Sequence, residues 1–453
     1  MDFSEAWDHA CSTVGLAARK GSLITLKKLV ERGKPVDVAD NRGWRPLHEA
    51  VNKHHIECVR FLLTQENTDI NWRTFQDDTP LHLACARNSS DIVKLLLDHG
   101  ADIDVKNHEW KTPLILAVAN SGKEIVSLLL EHSIDVNTMD VNEWTALHFA
   151  VANKNLALLK LLLRYNADFR VRDEHGRTAM FIACENKCFE CLKVLFEFAS
   201  LKGERNIINV TANDGANALI IAAEKGCLKT LKYLIENGVN VNQITNDGYL
   251  ALHLAVAVAG DIECVKLLLE KTNLEILKQP NVRDLIHLAV ARKRCEMLQL
   301  LLTTNLPFDV ECKLPHVPKL VIYDRYNVQR ANFQIENATF TPLGRAVYTD
   351  DEKSMELLLK AGANPNAISP MCIPPLTLCF DHHNSNHDIL RTLLKAGAVV
   401  NYSKVDWCES EAAVLAIHYN KWDYLNTLIL AGVDDISFTF NIVTSEERGT
   451  FTL

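Results

Sequence analysis

Apolar residues in this chain recur as pairs of short stripes, and the pair itself recurs. In PLHLACARNSSDIVKLLLDHGADI (80–103), Leu81, Ala84 and Cys85 share one helical face, and Ile92, Val93, Leu95 and Leu96 share another. That spacing predicts two short amphipathic helices separated by a polar break. The same grammar repeats along the chain: a turn with Gly or Asp, then Thr-Pro-Leu-His or a variant, then the two stripes. Leu47, Leu81, Leu114, Leu147, Met180, Leu219, Leu252, Ile286, Leu343 and Leu376 anchor the first stripe of successive units. Most steps between anchors are 33 or 34 residues; two are longer, 39 from Met180 to Leu219 and 57 from Ile286 to Leu343. Val14 stands one period before Leu47, and AAVLAIHYNKWDYLNTLILAG (412–432) reads as a degenerate last unit.

Each unit carries its own punctuation. Proline in the first turn of a helix sacrifices no hydrogen bond, and the preceding threonine can cap the helix start. Gly100, Gly238 and Gly362 suit the left-handed position that stops the second helix. Neither helix can bury its apolar face alone, so neighbouring units must stack. With TPLHLA and LLLDHGADI recurring in register, the pattern resembles the ankyrin repeat. The resemblance implies an all-α ankyrin-repeat solenoid of about twelve helix-turn-helix repeats with short β-hairpin turns. The expected divisions are an N-terminal repeat block over 1–310, an insertion or seam over 311–340, C-terminal repeats over 341–432, and a tail over 433–453.

Composition narrows the function. Hydrophobic content of 48% and charged content of 23% are those of a folded chain. A net charge of −9 disfavours generic binding to nucleic acid, which requires a basic footprint. The start, MDFSEAWDHACSTVG, lacks the basic and apolar runs of a secretory signal. The longest uncharged apolar stretch, YLALHLAVAVAG (249–260), is too short for a bilayer span. A cytoplasmic protein with no membrane contact is expected, and the thirteen cysteines are expected to be reduced thiols.

Three stretches invite a chemical reading. His48 and Glu49 could suggest a catalytic pair, but His48, His82, His148 and His253 all occupy one repeat position. Four bases without a shared nucleophile serve no mechanism, and the resemblance to the ankyrin repeat implies instead that this histidine bonds between repeats. CENKCFEC offers Cys184, Cys188 and Cys191 for zinc, yet Cys184 matches Cys85 in register, and Cys191 matches Cys58 and Cys264. They read as small buried hydrophobes. DHHNSNHD (381–388), with His382, His383 and His387, falls at a break between helices and reads as a solvated loop. No phosphate-binding loop, nucleophile elbow or metalloprotease motif is present. Neither an enzyme nor a cofactor or metal is expected.

Binding should lie where residues vary over the constant scaffold. The third residue before successive anchors is Trp44, Asp78, Lys111, Trp144, Arg177, Ala216, Tyr249 and Phe340; Trp110 falls one place earlier, where a glycine is usual. Trp, Tyr and Arg dominate interface energetics. With the neighbouring Arg42, the expected partner-binding set is Arg42, Trp44, Asp78, Trp110, Lys111, Trp144, Arg177, Tyr249 and Phe340. The alternative for any single ring is packing on the next hairpin.

The N-terminal stretches MDFSEAWDHACSTVGLAARKG and VDVADNRGWRPLHEAV are similar to the ankyrin repeat and SOCS box family. That resemblance implies a substrate-recognition adaptor of cullin-RING ubiquitin ligases, holding a protein substrate on the concave ankyrin face. In such proteins a SOCS box binds elongin B and C and recruits cullin 5. A SOCS box would show a leucine-rich helix with a cysteine and then a Leu-Pro-x-Pro-like segment; 433–453 has none recognisable. The alternative is an ankyrin scaffold or inhibitor with no ubiquitin ligase link.

Overall fold

The computed structural model describes residues 12–132, 134–278, 284–304, 341–367, 375–379, 386–400, 416, 421–431, 437–440 and 449–452. They fall into two compact units, Met1–Asn246 and Asp247–Leu453. The seam expected over 311–340 lies outside the described residues.

The first unit is a helical repeat solenoid of paired helices. The first helices of the pairs are α1 (Thr13–Arg19), α3 (Pro46–Asn52), α5 (Pro80–Ala86), α7 (Pro113–Ala119), α9 (Ala146–Ala152), α11 (Ala179–Glu185) and α13 (Ala218–Glu224). The second helices are α2 (Leu23–Glu31), α4 (Ile56–Leu63), α6 (Ser90–Asp98), α8 (Lys123–Leu130), α10 (Leu156–Arg164), α12 (Phe189–Leu201) and α14 (Leu228–Glu236). First helices pack on first helices and second on second, as a stack requires. The anchors Leu47, Leu81, Leu114, Leu147, Met180 and Leu219 are all buried, as are the second-helix leucines Leu62, Leu96, Leu129 and Leu162. At Thr79 and Thr112 the threonine oxygen accepts from the third helical N–H, satisfying an otherwise orphaned donor. Gly100 closes α6 at φ +84, and the N–H of Ala101 reaches back to the carbonyl of Leu96. The 39-residue step is absorbed behind the stack, by the 13-residue α12 and a 3₁₀ turn over Arg205–Asn209.

Between pairs the chain makes a hairpin tip. Each closes with one backbone bond four residues long, such as Asp40 N–H to Trp44 O (2.9 Å) and Asn107 N–H to Lys111 O (3.0 Å). A second series joins neighbouring tips: Phe75 N–H to Arg42 O, His108 to Gln76, Val141 to Glu109, Glu174 to Asn142, and Asn213 to His175. The tips therefore form a hydrogen-bonded ladder at fixed register. Gly43 sits in it at φ +77, where an added Cβ would lie 2.9 Å from the backbone nitrogen of Phe75. Gly43→Ala is expected to cost more than ~2 kcal/mol, combining the left-handed penalty with a broken rung. Gly100→Ala, with open space around it, should cost only about 1 kcal/mol. Thermal unfolding of the two variants side by side measures the difference.

The second unit contains α15 (Ala251–Leu254), a π-helical turn over Ala255–Ala259, α16 (Ile262–Lys271), α17 (Leu285–Ala291), α18 (Cys295–Thr303), α19 (Pro342–Tyr348), α20 (Glu352–Lys360), α21 (Pro375–Leu378), α22 (His387–Lys395) and α23 (Trp422–Leu430). The helices again stack in alternation. Strands β1 (Ser437–Phe440) and β2 (Gly449–Thr452) pair antiparallel, Ser437 opposite Thr452, adding a two-stranded element to the otherwise helical fold.

Candidate protein-interaction face

The repeated histidines are built into the scaffold. His48 Nδ1 accepts from the Arg45 N–H at 3.3 Å, and His82 Nδ1 from the Thr79 N–H at 3.1 Å. Each Nδ1 is therefore unprotonated, which leaves Nε2–H to donate across the repeat boundary, from His48 to Trp72 O (3.1 Å) and from His82 to Lys111 O (3.0 Å). His148 caps Thr145 N–H in the same way, while its Nε2 is buried with no hydrogen-bond partner among the described residues. Burial pushes His48 and His148 down to about 4 and lowers His82. The inter-unit role expected of this histidine is what His48 and His82 perform.

The cysteines of CENKCFEC separate by environment. Cys184 and Cys191 are buried and Cys188 is partly exposed. Burial raises the Cys184 and Cys191 thiols well above the ordinary range, so they remain neutral packing groups. His382 and His383 lie outside the described residues; His387 bonds Thr427 Oγ1 at 2.8 Å and stacks near Tyr424. Among the described residues, no three His, Cys, Asp or Glu side chains converge as a metal site would require.

The residues expected to bind a partner fall into three groups. Arg42 and Trp44 form one half-buried cluster on the first tip: the guanidinium lies 4.3 Å from the Trp44 ring and pairs with Asp40 and Glu49. Although burial opposes its charge, Asp40 and Glu49 hold the Arg42 guanidinium above its ordinary value. Trp144 is also half-buried, donating from Nε1 to Asp173 Oδ2 (3.1 Å) and packing edge-on to Phe149. In these two tips the alternative reading, ring on neighbouring structure, is realised without removing the ring from the surface.

Arg177 belongs to the interior. Its side chain is only 6% exposed; Nε donates to Asp173 Oδ2 at 2.7 Å and Nη1 to Glu185 Oε2 at 3.0 Å. The charge of Arg177, expected at the surface, is therefore engaged within its own repeat through Nε and Nη1. Asp78 is occupied as well, accepting from Asn107 Nδ2 at 2.9 Å.

The third group is open to solvent. Trp110 is 58% exposed, with Lys106 Nζ 5.5 Å from its ring, and Lys111 Nζ pairs with Glu109 at 2.6 Å. Two apolar neighbours on adjoining tips were not in the expected set, Phe75 (74% exposed) and Val141 (50% exposed). Both stand six residues before their anchors, a column that the third-residue count passes over. In the second unit, Tyr249 is half-buried and packs edge-on to His253 at 6.1 Å. Phe340 lies outside the described residues.

A family model described as ankyrin repeats (3 copies) matches in overlapping segments running from residue 14 to residue 369. Ankyrin repeat and SOCS box protein 3 of Homo sapiens is 46% identical over 102 residues, which cover 22% of this chain and 20% of that protein. Ankyrin repeat and SOCS box protein 2 of Rattus norvegicus is 33% identical over 84 residues, covering 18% of this chain and 13% of that protein. Ankyrin repeat domain-containing protein 53 of Mus musculus is 38% identical over 82 residues, 17% of this chain and 16% of that protein. The matched stretch thus spans a fifth or less of each of these relatives.

Proposed function

The chain belongs to the ankyrin-repeat family, and on that premise we propose that it is a protein-binding adaptor that captures a protein substrate on the face made by its hairpin tips and first helices. The observation that carries this reading is the row of exposed or half-exposed aromatic rings, Trp44, Trp110 and Trp144, set on tips that the ladder holds at fixed spacing. Rigid aromatic anchors are the residues that most often dominate interface energy. No helix among the described residues is long and apolar enough to cross a membrane.

We propose further that the adaptor serves a ubiquitin ligase of the elongin B/C–cullin 5 type. The support is the likeness to ankyrin repeat and SOCS box proteins. The test is co-purification of the tagged full chain from cells. Recovery of elongin B, elongin C and cullin 5 is the expected result; folded protein without them would leave a scaffold or inhibitor with no ligase link.

Substrate capture is tested separately. Trp44→Leu with Trp144→Leu in the first unit, and Tyr249→Leu in the second, keep apolar bulk while removing the rings. Proximity labelling should lose its principal partner in the variants, by tenfold or more at a hot-spot cost of ~2 kcal/mol. Retained labelling would remove these residues from the binding face.

A further inference from the structure

Three consecutive tips of the first unit break the glycine rule. The residue four places before the anchor is Gly43, Gly176 or Gly215 on the first, fifth and sixth tips, each at positive φ. On the three tips between them it is Asp77, Trp110 and Glu143, at φ 58°, 57° and 61°. A left-handed L-residue costs about 1–2 kcal/mol, and a bulky one is a genuine outlier. Trp110 and Glu143 are exposed, with only Lys106 Nζ, 5.5 Å away, against the Trp110 ring among the described residues. The turns between paired helices hold His54, Asn88, Ser121, Lys154 and Lys187 in the same left-handed region, so the backbone geometry belongs to the scaffold, and what distinguishes these three tips is the side chains they carry.

What those side chains present is an acid, an indole and a second acid, with the exposed Phe75 and Val141 two residues before Asp77 and Glu143 on their own tips. Glu143 has no side-chain partner among the described residues. Asp77 meets Arg73 at 3.5 Å with both side chains half exposed, an arrangement that a stronger partner displaces at little cost. Glu109, on the same tip as Trp110, is held by Lys111. Beneath that pair Asp140 is buried, its Oδ2 has no hydrogen-bond partner, and the charges of Lys111 and Glu109 both act on it.

We infer that the Asp77–Trp110–Glu143 row receives arginine side chains from a protein partner. A guanidinium stacks on an indole face and pairs in a fork with a carboxylate, whereas a lysine ammonium offers neither the plane nor the fork. An acidic segment would be repelled, and a wholly apolar one would leave the carboxylates desolvated and unpaired. This deepens the reading that the tips form the binding face, and rests on it.

The test is titration of the full chain with two labelled peptides of equal charge, hexa-arginine and hexalysine, at low and at physiological salt. Hexa-arginine should bind roughly tenfold more tightly, the effect of one stacked guanidinium. In the triple variant Asp77→Gly, Trp110→Gly, Glu143→Gly the preference should vanish while the unfolding midpoint rises, since glycine relieves the strain. A control with the same charge change away from the tips, Glu66→Gln with Glu236→Gln, should keep the preference. Equal affinity for the two peptides, no binding of either, or an undiminished preference in the triple variant would overturn the inference. Partner labelling lost in the Trp44 and Trp144 variants alongside such a result would retain the binding face and discard only the arginine chemistry.

Discussion

Acidification from neutral pH toward about pH 4 will destabilise the first unit by several kcal/mol, with the capping histidines as the principal cause. The folded values of His48 and His148 lie near 4, against 6.5 for the free side chain, because burial disfavours the imidazolium. Geometry gives the same sign. Protonation would place a proton on Nδ1, which already faces a backbone N–H at 3.1 Å in His148 and 3.3 Å in His48. The unfolded chain takes up the proton first, so the stability is complete above about pH 6.5 and drains away as the pH falls toward 4. A difference of this size corresponds to roughly 3 kcal/mol at each of the two sites. The check is the unfolding midpoint measured across this range for the wild type and for His48→Gln with His148→Gln. Glutamine at the third helical position still accepts the capping N–H but does not titrate. The variant should start less stable at neutral pH and lose less on acidification. An unchanged slope would assign the acid sensitivity to carboxylates instead.

Replacement of Arg177 by leucine will cost about 3–5 kcal/mol, the effect of removing one partner from a buried ion pair. Asp173 is fully buried and Glu185 is largely so, and the substitution takes the guanidinium charge away from both carboxylates. For a unit of this size the unfolding midpoint should fall by roughly 10 °C. Arg177→Lys should recover only part of that, because an ammonium cannot serve Asp173 and Glu185 through a planar fork. A fall of less than a few degrees for Arg177→Leu would mean that the network is solvated in solution.

The same residue marks the limit of what the sequence discloses. The solenoid was legible because the 33-residue period, the Thr-Pro-Leu-His starts and the closing glycines all repeat, and each repetition excludes alternatives. The burial of Arg177 was not legible, because it depends on Asp173 four residues before and Glu185 eight residues after, closing from a hairpin strand and from the end of a helix. A charged residue at a tip looks the same on paper whether it faces a partner or its own repeat. Trp44 and Trp144 stood out in the sequence because aromatic residues share one column, and the structure places both rings half-buried on their tips. Phe75, Val141 and Glu143 were passed over because exposed tip residues fall in several columns, on tips that backbone bonds join one to the next. One signal for Glu143 was available: glycine gives way to Asp, Trp and Glu on three consecutive tips.

The lengthened α12 has a bearing on how such a chain can change. Its extra residues and the 3₁₀ turn behind it take up the long step between Met180 and Leu219, yet the Asn213 N–H still reaches the carbonyl of His175. Front and back of a repeat are therefore decoupled: insertions can accumulate on the outer helix while the pitch of the tip row stays constant. A lineage of such chains could gain bulk, new surface loops or modification sites behind the stack without altering the spacing of the tips in front.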